Sequence, residues 1–216
     1  MTCCAAVNTS VGGGVAFFGE GTDTILVDGQ TVLGTTATYE ARILLTTPGS
    51  CPSCSTVFDE WTLALEDKGL AHRQGVLAAY SHPVNAPSAF VLPVAITVNC
   101  WRHIAYVYDG IEERLYFNGA LVGQRVAAGN IGNASGPAHI GAIFRDGVIA
   151  TAFLGYVDTL RISNIARYSG TSFDPPSGDL GPDANTLLLY NFNDPPGSVT
   201  VTDESGNGRT GHLGTG

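Results

Sequence analysis

The sequence predicts an all-β protein whose strands pack as a sandwich or jelly roll, and three observations carry that reading. Glycine accounts for 28 of 216 residues, charged residues for only 13%, and Val, Thr and Tyr are plentiful, a composition suited to strands joined by tight turns. Short apolar stretches recur along the chain, each bounded by Gly, Asp, Asn or Pro, at spacings that suit antiparallel sheets. The length fits one large β domain, because sandwiches of this size form single units.

The elements follow in order. Residues 1–14, with the vicinal pair Cys3 and Cys4, form an arm ahead of the domain proper, which spans 15–185. VAFFGEGTDTILVDG reads as strand, turn, strand. TYEARILLTTPG sets Thr38, Glu40 and Arg42 against Tyr39, Ala41 and Ile43, a two-faced strand with one apolar side, and stops at Pro48–Gly49. FDEWTLALEDKGLA reads as a strand entering a tight turn at Asp67–Gly69, with QGVLAAYS as its partner. WRHIAYVYDG is apolar on both faces and therefore central. In ERLYFNGALVGQRV, Asn118–Gly119 lies between two apolar runs and favours a type I′ turn, since both residues accept positive φ. Such a two-residue loop pairs Phe117 with Ala120, Tyr116 with Leu121 and Leu115 with Val122. HIGAIF, FLGYVDTLRIS and, after the loop PPSGDLGPDAN, TLLLYNF are the remaining strands. Residues 186–216 are expected to supply a strand and a Gly-rich turn that close the same domain or a neighbouring subunit.

Composition excludes several classes of function. A net charge of −9 with one Lys and no basic run leaves no footprint for nucleic acid. The stretch from Gln74 to Trp101 lacks charged residues but carries Pro83, Pro87 and Pro93, so it reads as buried strands and loops rather than as a membrane span. The opening MTCC shows no secretory signal. Five cysteines leave at least one without an intrachain partner. Structural zinc usually draws on two C-x-x-C arms, and Cys3–Cys4 is a poor second arm to Cys51 and Cys54. A loop disulfide between Cys51 and Cys54 in an oxidising compartment, or inert thiols, is the expectation, with Cys100 packed at a strand edge.

The succession WRHIAYVYDG, RLYFNGALV, HIGA and FLGYVDTLRISNIARY, preceded by VAFFGEGTDTILV and TYEARI, resembles the laminin-G-like domains of the concanavalin A-like lectin and glucanase superfamily, of the phage or bacterial surface type, over roughly Val15 to Tyr168. That resemblance implies a jelly roll of two antiparallel sheets, with the C-terminal strand completing a sheet, and implies binding more readily than catalysis. Retaining glucanases of the superfamily carry an E-x-D-x-E run on one strand, which this chain lacks.

Candidate site residues follow from residue type and position. Asp203, Ser205 and Asn207 stand at alternate positions before Gly208, as in half of a calcium loop, but the twelfth position, where an EF-hand places glutamate, is Gly214. Asp158 matches a position where the family places an Asp, and is a calcium ligand, a partner of Arg161 or an acceptor of backbone hydrogen bonds. His103 is expected as a hydrogen-bonded strand residue. Trp61, Tyr80 and Tyr108 are the candidates for stacking on sugar rings, against the commoner fate of aromatics in a sandwich core. The expected function is a non-catalytic, lectin-like recognition or adhesion module on a virion or cell surface, binding a glycan or cell-surface polysaccharide, with calcium ordering its loops. The alternative is a structural building block, a decoration, fibre or filament subunit, that assembles as an oligomer through protein contacts.

Overall fold

The computed structural model describes residues 16–18, 23–29, 34–46, 56–60, 68–73, 76–80, 90–129, 131, 137–145 and 148–215, and no helix occurs among them. The strands are β1 (Ala16–Phe18), β2 (Asp23–Val27), β3 (Ala37–Leu45), β4 (Thr56–Glu60), β5 (Lys68–Arg73), β6 (Val76–Tyr80), β7 (Phe90–Ala95), β8 (Trp101–Tyr108) and β9 (Glu112–Phe117). They continue with β10 (Ala120–Val126), β11 (Ala138–Ile140), β12 (Ala142–Arg145), β13 (Val148–Ala152), β14 (Gly155–Ser163), β15 (Thr186–Tyr190), β16 (Thr200–Val201) and β17 (Gly211–Thr215).

Two antiparallel sheets make the sandwich. The first has the order β1-β14-β3-β8-β9-β10, with β15 also on β14. β1 and β15 share one edge of β14 end to end, pairing with Gly155–Val157 and with Leu160–Ser163 respectively. The second sheet runs β16-β17-β2-β11-β4-β5-β6-β7, and β12 with β13 forms a separate hairpin. Between the sheets lies one large core, in which Tyr39, Ile43, Ile104, Tyr106, Leu160, Leu188 and Tyr190 of the first sheet meet Ile25, Val57, Ala79 and Ile140 of the second. Each large side chain fully buried there contributes about 1.5–3 kcal/mol.

The register explains why β8 is apolar on both faces. Its inner residues join the main core, whereas Ala105 and Val107 face outward with Tyr116 into a smaller cluster closed by Leu121, Ala166, Tyr168 and Phe173. The last three belong to the segment after β14. This strap crosses the outer face of the first sheet and is tied to the β9–β10 turn by Leu121 N–H to Thr171 O (2.9 Å) and Phe173 N–H to Gly119 O (2.9 Å). A side chain at Gly119 would meet Phe173 O at 2.0 Å, so the Asn-Gly turn needs its glycine for the strap as well as for its φ of +77°.

Several local expectations are corrected. The Asn118–Gly119 hairpin forms, and Phe117–Ala120 and Tyr116–Leu121 pair as expected, but a bulge between Leu121 and Gly123 sets Gly123, not Val122, opposite Leu115. VAFFGEGTDTILV is not a hairpin, because β1 enters the first sheet and β2 the second. HIGAIF breaks into β11 and β12 at Gly141, whose φ of +85° and contact with the Phe18 ring, 2.2 Å from where a Cβ would lie, admit no side chain. Lys68 and Gly69 are strand residues opposite Glu60 and Asp59, not a turn, and QGVLAAYS supplies β6, which pairs with β5. The C-terminal strand completes the first sheet, and the tail also supplies β17, which pairs with β2 in the second.

Candidate functional site

Aromatic rings and carboxylates come together both under the strap and at one edge of the sandwich. Under the strap, the outward residues of β3, β8 and β14 fall into rungs, Arg161–Glu40–Ala105 beside Thr159–Arg42–His103. Glu40, wholly buried, accepts from Arg161 Nε (2.7 Å), His103 Nε2 (3.1 Å) and Tyr168 Oη (2.6 Å). Burial opposes its ionisation, yet the His103 hydrogen bond and the Arg161 charge outweigh burial and hold its pKa below the ordinary value. Burial and the charge of Glu40 push the Tyr168 hydroxyl upward. Tyr168 and Phe173 stack with ring centroids 3.6 Å apart, and His103 meets both rings edge-on. His103 is thus the hydrogen-bonded strand residue expected of it.

The second place is a cleft of about 510 Å³ at the edge where β1 and β15 of one sheet lie beside β2, β17 and β16 of the other. Its floor is apolar: Phe18, Phe192 and Val201 are buried, and Leu213 forms a lip that is 45% exposed because the sheet ends beside it. Asp23, Asp194, Ser198 and Thr200 supply polar groups around the rim. The walls are fixed in advance. Thr202 donates its Oγ1 to Asp194 Oδ1 (2.6 Å) and its N–H to the same carboxylate, the Pro195–Ser198 turn closes with Ser198 N–H on Pro195 O (3.0 Å), and Leu213 N–H donates to Val199 O (3.0 Å).

Phe192 holds a left-handed φ of +56°, a conformation that costs a bulky residue about 1–3 kcal/mol. Asn191 imposes it. Its Nδ2 donates to Leu180 O (3.0 Å) and Glu204 Oε2 (2.7 Å), while its Oδ1 accepts from Leu180 N–H (3.1 Å). With Asn191 gripped on both sides, the chain must turn at the next residue and lay the Phe192 ring edge-on to Tyr190 as the cleft floor.

The expected site residues distribute otherwise. Asp203 accepts from Leu189 N–H (3.1 Å) and Ser205 N–H (3.0 Å) on one oxygen and from Arg209 N–H (2.9 Å) on the other. Asn207 turns its amide nitrogen to the carbonyls of Thr186 (2.9 Å) and Leu187 (3.1 Å), and Ser205 Oγ donates to Leu187 O (3.3 Å). Asp203, Ser205 and Asn207 therefore latch the tail to β15. Asp158 pairs with Arg42 (2.8 Å) rather than with Arg161, whose partner is Glu40. Burial raises the Asp158 pKa against the pull of Arg42. Among the described residues no group of three or more His, Cys, Asp or Glu is placed to hold a metal.

Tyr108 is removed from the stacking candidates, being wholly buried with its hydroxyl bonded to Gly129 O. Tyr80 lies in β6, and its side chain is outside the described residues, as are Trp61, Cys51 and Cys54. Cys100, expected to pack alone, is disulfide-bonded, and the other four cysteines all lie outside the described residues. Trp101 and Tyr156, which the sequence reading passed over, are half-buried at the end of the first sheet beyond the strap, 6.5 Å apart, with Arg42 over the Trp101 ring at 5.2 Å. Their signal was phase: Trp101 alternates in step with the outward-facing His103.

The fold has relatives among solved structures. A candidate carbohydrate-binding protein from Bacteroides ovatus superposes with a TM-score of 0.61 at 16% identity, over 90% of this chain and 58% of that one, so the chain spans little more than half of that protein. The CBM40 of the Ruminococcus gnavus IT-sialidase, bound to α2,3 sialyllactose, gives a TM-score of 0.55 at 14% identity, over 72% of this chain and 92% of that one. Domains LG4-5 of the mouse laminin α1 chain give 0.53 at 15% identity, over 79% and 47%. A search of curated protein sequences finds no match. The laminin G profile described as concanavalin A-like lectin/glucanases superfamily matches residues 18–170, more than half of the sequence, and the chain belongs to that family.

Proposed function

We propose that this protein is a non-catalytic carbohydrate-recognition module that works outside the cell, on a cell or virion surface. The observation that carries the reading is the preformed cleft, whose apolar floor of Phe18, Phe192 and Val201, with Leu213 at the lip, is ringed by the carboxylates and hydroxyls of Asp23, Asp194, Ser198 and Thr200. Sugars present that same combination, C–H faces that pack on rings and hydroxyls that bond to polar rims. Its volume lies within the range of small-ligand sites. The carbohydrate-binding relatives of the same fold support the class of ligand. Absence of catalysis is supported by the buried acids: Glu40 and Asp158 are ion-paired to Arg161 and Arg42, and Glu113 to Arg125.

A glycan array probed with the folded protein, with and without calcium, tests this reading, and the expected result is binding that calcium does not change. Gly214 lines the cleft with nothing within 4 Å of where its Cβ would lie, so Gly214→Trp should fill the mouth, abolish binding and leave the melting temperature nearly unchanged. Silence on the array together with stable self-assembly would instead make the chain a structural building block.

A further inference from the structure

We infer that Asn207 is a site of spontaneous deamidation in the folded protein, and that the reaction releases the latch that ties the tail to β15. Asparagine is a thermolabile residue, and the chemistry is intramolecular. The backbone nitrogen of the following residue attacks the side-chain carbonyl carbon, a new C–N bond forms as the bond to the amide nitrogen breaks, and ammonia leaves with the backbone proton. Water then opens the cyclic imide at either carbonyl, giving aspartate or isoaspartate with no change of oxidation state. Glycine in the following position favours the attack, because no side chain shields its nitrogen.

The chain has two such Asn-Gly pairs, and the fold protects one of them. At Asn118–Gly119 the peptide is clamped. Asn118 N–H donates to His103 O (2.8 Å), Asn118 Oδ1 accepts from His103 N–H (3.0 Å), and Gly119 O accepts from Phe173 N–H (2.9 Å). The space beside Gly119 is filled by Phe173 O and the Pro175 ring, so closing an imide there would require the turn and the strap to part.

Asn207–Gly208 is open. Both residues are exposed, nothing lies within 4 Å of where a Gly208 Cβ would stand, and among the described residues no hydrogen bond engages the Gly208 N–H. The Asn207 side chain is held through its amide nitrogen alone, by Thr186 O (2.9 Å), Leu187 O (3.1 Å) and Ser205 Oγ (3.1 Å), and at the last two water competes. Arg209 Nη1 donates to the same Leu187 O (2.8 Å), so negative charge building on Asn207 Oδ1 during the attack has a cation nearby.

The product cannot hold the latch. A carboxylate only accepts, whereas the amide donates to the carbonyls of Thr186 and Leu187. Isoaspartate also adds a methylene to the main chain between Ser205 and Arg209, whose N–H groups both end on Asp203.

The test is to age the intact chain at mildly alkaline pH, folded and in urea, and to follow both pairs by peptide mass spectrometry with isoaspartate detection. In urea the two should react at similar rates, and in the folded protein Asn207 should react at least about tenfold faster than Asn118. The aged protein should melt about 2–4 °C lower, whereas Asn207→Gln, whose longer side chain cyclises far more slowly, should not drift with age. Equal rates at both pairs in the folded protein, or an intact Asn207 while both react in urea, would overturn the site. Reaction at Asn207 with no fall in melting temperature would overturn its role in the latch.

Discussion

The strapped face and the edge cleft are assembled from the same ingredients, aromatic rings beside carboxylates, yet they differ in what closes them. At the strapped face Tyr168 and Phe173 come from the chain itself, and both oxygens of Glu40 are consumed by Arg161, His103 and Tyr168. In the cleft Phe18 and Phe192 line the floor, and among the described residues Leu213 stays at the lip. Aromatics and acids together do not mark a binding site. Closure by the chain's own segment turns the same chemistry into structure.

The largest break in this comparison comes from removing residues 186–216. That deletion takes β15 from β14 and β17 from β2, uncovers the main core from both sheets, and removes most of the cleft. The monomer should be unfolded by circular dichroism; a folded monomer that has lost only self-assembly would show that the tail serves a neighbouring copy. Next in size is Glu40→Ala, which leaves Arg161 and His103 buried around a vacancy and should cost about 3–5 kcal/mol in urea denaturation. Its loss should exceed that of any single rim substitution in the cleft.

Asp203→Ala removes the acceptor for three backbone N–H groups and should cost about 2 kcal/mol. A chelator should leave the wild-type melting temperature unchanged, and a fall on chelation would support the metal reading of Asp203, Ser205 and Asn207. The smallest effect is on pH dependence. The folded pKa of Glu40 is depressed, so its contribution is present above the ordinary value of 4.5 and is lost as pH falls through the folded value. For Asp158 the folded pKa is raised, so its ionisation costs stability, and acidification through the folded value recovers it. Glu40→Gln should flatten the acid limb of a stability-against-pH curve, and Asp158→Asn should steepen it.

Much of the architecture was legible because alternation and turn chemistry are local. Thr38, Glu40 and Arg42 alternate against Tyr39, Ala41 and Ile43, and Asn118–Gly119 fixes a turn by φ alone. What escaped was non-local. That β8 is apolar on its outer face signalled a central strand, but only the path of residues 164–173 shows what covers that face. Nothing in HIGAIF announces that Gly141 sends its two halves into different sheets, because the reason is the Phe18 ring, far away in sequence. For the same reason Asp158 was matched with Arg161 on its own strand, whereas the true partner, Arg42, lies across the sheet on β3. The cleft was invisible, since its lining joins Phe18 and Asp23 to Asp194 and Leu213. Oxygen-rich alternation at Asp203, Ser205 and Asn207 was conspicuous, but the same pattern serves backbone N–H groups as well as a cation.

The tail's place in both sheets has a consequence for biosynthesis. β2 is made long before β17, so Val27 finds its partner Gly211 only after all of the chain between them has been made. Contacts so distant in sequence are paid for in loop entropy before they return any stability, which slows folding and lengthens the life of incomplete forms. Until β15 and β17 arrive, Leu160, Ile162 and Ile25 lie along open strand edges that invite pairing between nascent chains. Production of this protein should therefore depend on temperature and chaperone supply more steeply than its final stability suggests, and the dependence should be set by when β15 and β17 are delivered.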